Sequence, residues 1–249
     1  MKTINALNVS CYRHLNEEID STILTGTKQI VLNNVCGQRY IGRGLENNIK
    51  IQIYGTPGND LAAYMDGAQL EVFGNGQDSV GNTMNTGRII IHGNCGDTVG
   101  YAMRGGEIYV RDNVGYRCGI HMKEYKEQTP IIVIGGKAGD FLGEYMAGGA
   151  IIVLGLNLKD KNDKIVGQFC GTGIHGGVIY LNNSHLYDKS VFGKEVLQSN
   201  INKTDILFLK KYTNSYKKFF NINFNIKLEL FGKYIAVGKN PYSNMYCNY

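Results

Sequence analysis

Three aspartates recur at one position of a repeating pattern and are the first candidates for chemistry. Asp78, Asp97 and Asp140 each stand six residues before a methionine. Stacked carboxylates can bind calcium, and carboxylates beside a groove can hydrolyse a glycosidic bond. Polar residues and one tyrosine fill this position in the other repeats, and the chain has no tryptophan to stack on a sugar ring. We therefore expect the aspartates to hydrogen-bond backbone amides as turn residues. The other occupants are Arg39, Asn59, Tyr116 and Gln168.

A glycine-rich segment, Gly171-Thr172-Gly173-Ile174-His175-Gly176, matches the letters of a dinucleotide-binding loop. Such a loop needs a strand before it and a helix after it, so that the helix N-terminus meets the phosphates. Here a strand-like segment, Val178 to Leu181, follows instead. We therefore interpret the match as a by-product of the repeat and predict no cofactor-binding residue.

The six cysteines include no C-x-x-C pair, so neither a zinc site nor a redox pair is indicated. Cys118 and Cys170 precede the repeat glycine, where apolar residues stand in other repeats. We expect buried fillers two coils apart, which is too far for a disulfide bond. Cys36 and Cys95 are also separated by intervening coils. The apolar residues at the same position are Ile41, Val80, Val99 and Leu142.

The five histidines are scattered over different positions of the repeat, and no two have the spacing of metal ligands. None stands beside a serine or a cysteine in the repeat, so a nucleophilic triad is not indicated. The sequence predicts no catalytic, no cofactor-binding and no metal-binding residue, and no cofactor. The histidines are His14, His92, His121, His175 and His185.

The element that must position all these residues is a repeat of about 19 residues between Val35 and Leu181. Each unit reads D-x-x-G-x-x-M-x-G-G or a variant, followed by a short apolar strand. A unit this short cannot bury its own apolar face and must stack on its neighbours. We therefore predict an all-β core: a single-stranded, right-handed β-helix of about seven coils, roughly 30 Å long. The repeat markers are Leu45, Met65, Met84, Met103, Met122, Met146 and Ile174, at intervals of 20, 19, 19, 19, 24 and 28 residues.

Strand residues alternate between an inward and an outward face, and the alternation identifies the core. The outward positions are polar at first and become apolar in the later coils. This apolar outer patch needs a cover. We favour the C-terminal helix and hairpin as the cover and keep a partner subunit as the alternative. The predicted inward pairs include Ile89 and Ile91, Ile131 and Val133, and Ile151 and Val153; the predicted outward patch is Ile132, Ile134, Ile152, Leu154 and Tyr180.

The chain divides into three predicted parts: an N-terminal cap at 1–33, the β-helix at 34–183 and a C-terminal cap at 184–249. Insertions at Lys123 to Thr129 and Leu158 to Lys164 should project as loops. The predicted cap elements are strand Ile4 to Val9, helix Arg13 to Leu24 ending at Gly26, strand Thr27 to Leu32, helices Lys189 to Gln198 and Asp205 to Phe220, strand Ile222 to Leu230, a turn at Phe231 to Lys233 and strand Tyr234 to Val237.

Charge and hydropathy exclude several classes of protein. The net charge is +5, and seven lysines between Lys203 and Lys233 account for the excess. They come without a nucleic-acid-binding motif, so we predict a solvated basic face or one that meets an acidic partner, and no nucleic acid. No apolar run is long enough to span a membrane, and Met1 to Asn5 has no signal-peptide character. We expect a cytoplasmic protein that does not bind a membrane.

The motif Asn34-Val35-Cys36-Gly37-Gln38-Arg39-Tyr40-Ile41-Gly42 and the G-D-x-x-G-x-x-M-x-G-G units together resemble the GXGXG-repeat domain at the C-terminus of the glutamate synthase large subunit. The same repeat occurs in one of the subunits of formylmethanofuran dehydrogenase. The flanks Leu15-Asn16-Glu17 and Lys239 to Tyr246 are similar to those of the stand-alone form of the domain. The glutaminase, flavin-barrel and iron–sulfur segments of the large subunit are not found in this sequence.

The resemblance implies a right-handed β-helix without assigned catalytic residues that holds catalytic domains in place. The implied function is a non-catalytic scaffold subunit of a glutamate-synthase-like oxidoreductase complex in nitrogen metabolism. Its partners would be separately encoded glutaminase and flavin synthase subunits. A structural subunit of a formylmethanofuran-dehydrogenase-like complex is the alternative, and an independent β-helix hydrolase using Asp97 is a weaker one.

Overall fold

The computed structural model describes residues 1–9, 11–46, 48–158, 163–183 and 188–238. These ranges form one mostly parallel sheet of eleven strands in the order β1-β2-β3-β4-β5-β6-β7-β8-β9-β11-β10. Part of the Leu158 to Lys164 insertion, His185 and the flank Lys239 to Tyr246 lie outside the described residues. The elements are β1 Lys2–Asn5, α1 Tyr12–Leu24, β2 Gln29–Cys36, β3 Lys50–Thr56, β4 Asp66–Phe73, β5 Thr86–Ile91, β6 Glu107–Val110, β7 Ile131–Ile134, β8 Ala147–Val153, β9 Gly176–Asn182, β10 Val196–Ser199, α2 Lys203–Phe220 and β11 Phe231–Ala236.

The repeat markers stack in consecutive layers of a β-solenoid. The residue after each marker donates a backbone hydrogen bond to the carbonyl of the preceding marker, as from Arg104 to Met84 at 2.9 Å and from Lys123 to Met103 at 3.0 Å. All the markers are buried. The predicted β-helix is therefore confirmed. The rod makes about six turns, slightly fewer than the seven coils predicted. The seven markers are separated by six intervals, and each interval is one complete turn.

The inner core is a ladder of β-branched residues with one step per strand. Ile89 pairs with Ile108, which pairs with Ile132, which pairs with Ile151. The predicted phase of β7 is therefore wrong. Ile132 and Ile134 point inward, and Ile131 and Val133 lie in the outer apolar cluster. Ile131–Ile134 contains four β-branched apolar residues, so its sequence has no polar residue to mark the outward face. Only the pairing register with the neighbouring strands determines which side chains point inward.

Helix α2 covers the outer apolar patch, as predicted. Its residues Leu209, Tyr212, Tyr216 and Phe220 are buried against the outer side of β6 to β9. The outward residues include Ile152, Leu154 and Tyr180, as predicted. An asparagine capping box at Asn202 begins the helix, and Asn221 in the left-handed conformation ends it.

The predicted N-terminal helix is confirmed, whereas the predicted strand Ile4 to Val9 is wrong in its extent, since β1 is Lys2–Asn5 and a 3-10 turn occupies Ala6–Asn8. The helix α1 buries Leu15 and Ile19 in the inner core cluster, so it closes that end of the rod. Strand β1 does not cross the end of the ladder. It pairs in parallel with β2, from Lys2 with Ile30 to Asn5 with Asn33, and so extends the sheet.

The C-terminal elements differ in three places from the prediction. The predicted helix Lys189 to Gln198 is a short 3-10 turn at Lys189–Val191 followed by strand β10. The predicted strand Ile222 to Leu230 has no ladder partner and ends in a 3-10 turn. The predicted turn at Phe231 to Lys233 begins strand β11, which pairs antiparallel with both β9 and β10. These strands end the parallel stack.

Neither α1 nor α2, nor any other helix within the described ranges, has both the length and the apolar character needed to span a membrane.

Candidate interaction surface

The aspartate column forms a ladder of side chain to backbone hydrogen bonds between coils. The Oδ1 atom of Asp78 accepts from the N–H of Asp97 at 2.9 Å, and that of Asp97 accepts from the N–H of Tyr116 at 2.8 Å. Asp140 does the same for Gln168 at 2.8 Å. The prediction that these carboxylates bond backbone amides is confirmed. The amides, however, belong to the next coil and not to the same turn.

A second ladder, made of asparagines, runs beside the aspartate ladder and was not predicted from the sequence. Asn75 accepts from the N–H of Asn94 at 2.9 Å, Asn94 from Asn113 at 3.0 Å and Asn113 from Lys137 at 2.9 Å. The signal was available, because asparagine recurs at 75, 94 and 113 with the repeat spacing of the coils. These two ladders run beside each other in the middle coils and satisfy backbone donors that would otherwise lack partners.

Glycines next to the ladders provide the space for these side chains. A methyl group on Gly96 would overlap the Asp78 carboxylate, and one on Gly115 would overlap that of Asp97. The same relation joins Gly167 to Asp140. The glycine at these three positions is therefore explained by close approach between coils, since glycine alone leaves room for the carboxylate of the preceding coil.

The glycine-rich segment 171–176 is part of a coil, and its amides already have partners. Gly171 donates to the carbonyl of Leu142 at 2.7 Å and Gly176 to that of Met146 at 3.2 Å. Gly173 donates to the Glu195 carboxylate at 3.1 Å. Strand β9 follows the segment, as the sequence indicated. The segment lacks the helix and the available N–H groups that a phosphate site needs.

The buried cysteines behave as apolar fillers. Cys95, Cys118 and Cys170 lie in the inner core, and all three are free thiols. Burial raises the pKa of the Cys95 thiol to about 12 and raises the pKa of Cys118 and Cys170 as well. Such thiols stay protonated at neutral pH, so they are poor nucleophiles and poor metal ligands.

The histidines within the described ranges do not converge. His92 bonds to Glu71 at 2.9 Å and stacks on Phe73, while His121 stacks on Tyr145. His175 bonds to the carbonyl of Gly173 at 3.2 Å. Among the described residues, no group of three or more His, Cys, Asp or Glu side chains is placed to hold a metal ion.

The clearest candidate site is the side of the rod made by the marker segments, which we call the turn face. It comprises seven stacked segments of seven residues each, and alternate residues in them have positive φ. In the five segments from 59–65 to 140–146, each of those residues donates a backbone hydrogen bond to an adjacent coil, as Thr98 does to Tyr116 at 2.8 Å. The segments are 39–45, 59–65, 78–84, 97–103, 116–122, 140–146 and 168–174.

The turn face is rich in exposed aromatic side chains and contains none of the lysines of the chain. Aromatic residues and arginine are enriched in protein interfaces, and lysine is depleted there. A tyrosine or phenylalanine also contributes a large contact area at a small cost in side-chain entropy. The composition of this face is therefore that of an interface. Its exposed aromatic residues are Tyr40, Tyr64, Tyr101, Tyr116, Tyr145 and Phe169.

Several of these side chains hold each other in place. Phe169 stacks on Phe141 with ring centroids 4.9 Å apart, and the Arg117 guanidinium lies 4.8 Å from the Phe141 centroid. The Nε atom of Arg117 also donates to Glu144 at 2.9 Å. The group is therefore ordered before any partner arrives, which lowers the entropic cost of association.

Two comparisons place the chain among known proteins. A family model described as the GXGXG motif matches residues 12–237. The uncharacterized protein MJ1350 of Methanocaldococcus jannaschii is 43% identical over 243 residues, which cover 94% of this chain and 92% of that protein.

Proposed function

We propose that this chain is a non-catalytic scaffold subunit of a glutamate-synthase-like oxidoreductase complex. The chain belongs to the GXGXG motif family, which is the family of the C-terminal domain of the glutamate synthase large subunit. The scaffold positions separately encoded glutaminase and flavin synthase subunits in the cytoplasm. The turn face is the single observation that supports a binding role, since it has an exposed aromatic surface without lysine.

The proposed mechanism is positional. Backbone hydrogen bonds tie each coil to the next, the side-chain ladders add bonds between several of them, and the inner core is continuous along the rod. A partner that contacts several coils is therefore held at a fixed distance and orientation from a second partner. Fixed orientation between catalytic subunits shortens the transfer of an intermediate or an electron without any chemistry by the scaffold itself.

The hydrogen bonds and positions of the polar side chains support this role. The aspartates of the column bond backbone amides, and the described histidines lie apart. The turn face offers a large contact area, and its acidic and basic side chains do not converge on one point as those of a catalytic site would. The function therefore depends on association with other chains.

The test is purification of the tagged chain from its native host, followed by identification of the bound proteins by mass spectrometry. A flavin-dependent synthase and a glutaminase are the expected partners. Molybdopterin-dependent subunits would replace this proposal by the formylmethanofuran-dehydrogenase-like alternative. Recovery of neither kind of subunit would contradict the scaffold role.

A pair of matched variants locates the interface. Phe169 is 53% exposed and ends an aromatic stack on the turn face, while Tyr54 is 44% exposed and ends a stack with Phe73 on the sheet face. Phe169→Ser should weaken partner binding by about 30-fold, the loss typical of an aromatic hot spot. Tyr54→Ser should leave binding unchanged. Equal effects of the two variants would exclude the turn face as the docking site.

A further inference from the structure

We propose that a trough on the outer face of β2 to β5 binds a small organic polyanion that carries carboxylate or phosphate groups. The trough has a volume of about 440 Å³ and lies beside the C-terminal end of α2. Helix α2 packs on the same sheet face over β6 to β9, and its C-terminal end reaches β5, where Phe219 lies over Arg88. This site is separate from the turn face and does not depend on the scaffold role.

The floor of the trough carries a row of hydrogen-bond donors, one from each strand. The register places Gln29, Lys50, Gln69 and Arg88 side by side on β2, β3, β4 and β5. All four line the cavity. Since neighbouring strands lie about 4.8 Å apart, the two cations of the row stand about 10 Å apart at the backbone, with an amide between them. The row can therefore contact two acidic groups of one ligand.

The positive charges of the trough are only partly neutralised. Arg88 donates through Nε to Glu107 at 2.8 Å, which leaves its two terminal nitrogens for a ligand. Lys50 and Lys218 line the cavity and form no ion pair within the described part of the chain. The one carboxylate in the lining, Glu71, is bonded to His92 at 2.9 Å. The net excess of cations favours an anionic ligand.

The walls provide apolar contact for the body of the ligand. Phe219 lies on the α2 side, 5.0 Å from the Arg88 guanidinium, and so holds that side chain in place. Val31 and Ile90 provide apolar area on the floor. The cavity volume lies in the range of sites that bind small metabolites. A protein partner would instead need a contact area of about 800 Å² on this chain. The trough therefore fits a small molecule.

Calorimetric titration of the intact chain at low salt tests the proposal, with citrate and inorganic pyrophosphate as probes and glucose as the neutral control. Binding of citrate alone identifies a carboxylate site, and binding of pyrophosphate alone a phosphate site. Either result, or binding of both, supports the proposal. Absence of saturable binding by both probes, or equal binding of glucose, overturns it.

Gln69→Glu is the decisive variant. It is nearly isosteric, and it places a carboxylate between Lys50 and Arg88, where opposite charges on adjacent strands favour the fold. The variant should keep its melting temperature and weaken probe binding by at least about tenfold, because it halves the positive charge of the row and sets a carboxylate against the anionic probe. Lys50→Gln should weaken binding by a similar factor. Lys203→Gln, at the far end of α2, is the matched control and should bind as the unmodified chain does. Unchanged binding by Gln69→Glu would overturn the site.

Discussion

The carboxylate of Asp97 accepts a hydrogen bond from the backbone N–H of Tyr116, 19 residues later, at 2.8 Å. One side chain thereby joins two coils that are distant in sequence and adjacent in space. The same bond recurs from Asp78 to Asp97 and from Asp140 to Gln168. The candidate catalytic or calcium-binding column is thus a structural part of the rod.

We expect Asp97→Ala to lower the free energy of unfolding by about 1–2 kcal/mol, because the Tyr116 N–H loses a charged acceptor. Asp97→Asn should cost less, since asparagines form the same bond in the neighbouring ladder. Urea denaturation followed by circular dichroism measures both. Asp112→Ala, which removes only an exposed pair with Arg111, should cost below about 1 kcal/mol. A larger loss for Asp112→Ala than for Asp97→Ala would contradict the ladder.

The contact between Gly96 and the Asp78 carboxylate yields a coupled prediction. Gly96→Ala should destabilise the chain by about 1–3 kcal/mol, since the added methyl group would overlap that carboxylate. In an Asp78→Ala background the overlap is removed. The same glycine substitution should then cost less, and the two changes should be non-additive in a double-mutant cycle of unfolding free energies. Additive costs would show that Gly96 is required for another reason.

A buried network anchors the start of α2 and makes stability depend on pH. Asp205 accepts from the Tyr180 hydroxyl at 2.6 Å and pairs with Lys233 at 2.8 Å. Burial alone would raise the pKa of Asp205, but hydrogen bonds from Lys233, Tyr180 and the Asn202 N–H outweigh it, and the pKa lies below its ordinary value of 3.8. Because the folded-state pKa is depressed, this stabilisation is present above pH 3.8 and is lost as the pH falls through the folded value.

Asp205→Asn should therefore lower the free energy of unfolding by about 3 kcal/mol at neutral pH, since it leaves a largely buried Lys233 without its counter-ion. The difference from the unmodified chain should shrink below pH 3.8. Thermal melts recorded from pH 7 to pH 3 follow this convergence. A gap that stays constant over that range would show that the charge of Asp205 contributes nothing.

The period of the repeat and the alternation of its strands were sufficient to predict the solenoid and most of its core. The prediction failed at β7 because Ile131–Ile134 has no polar residue, so that both faces look alike. It failed again at 222–230, where apolar and polar residues alternate without a strand. Ile222, Phe224 and Ile226 pack with one side against the α2 cluster, which produces the same alternation without ladder hydrogen bonds.

The candidate sites differ in how far the sequence reveals them. The absence of lysine from the turn face can be read from the sequence once the repeat is aligned. The trough cannot, because Phe219 and Lys218 meet the β2 to β5 face only through the docking of α2. The direction of that docking follows from contacts at both ends of the helix, from Asp205 with Tyr180 to Phe220 with His92.

The cover that α2 provides for the outer apolar face leads to a final prediction with a control in the same helix. Leu209 is fully buried against this face, whereas Leu207 is 68% exposed on the opposite side of the helix. Leu209→Asp would bury a charge and should detach α2, exposing Ile131, Val133 and Ile152. We expect higher binding of a hydrophobic dye and self-association, measured by fluorescence and light scattering, while the inner ladder keeps its strand signal in circular dichroism. Leu207→Asp should change neither. If Leu209→Asp stayed monomeric with unchanged dye binding, α2 would not be the cover of the rod.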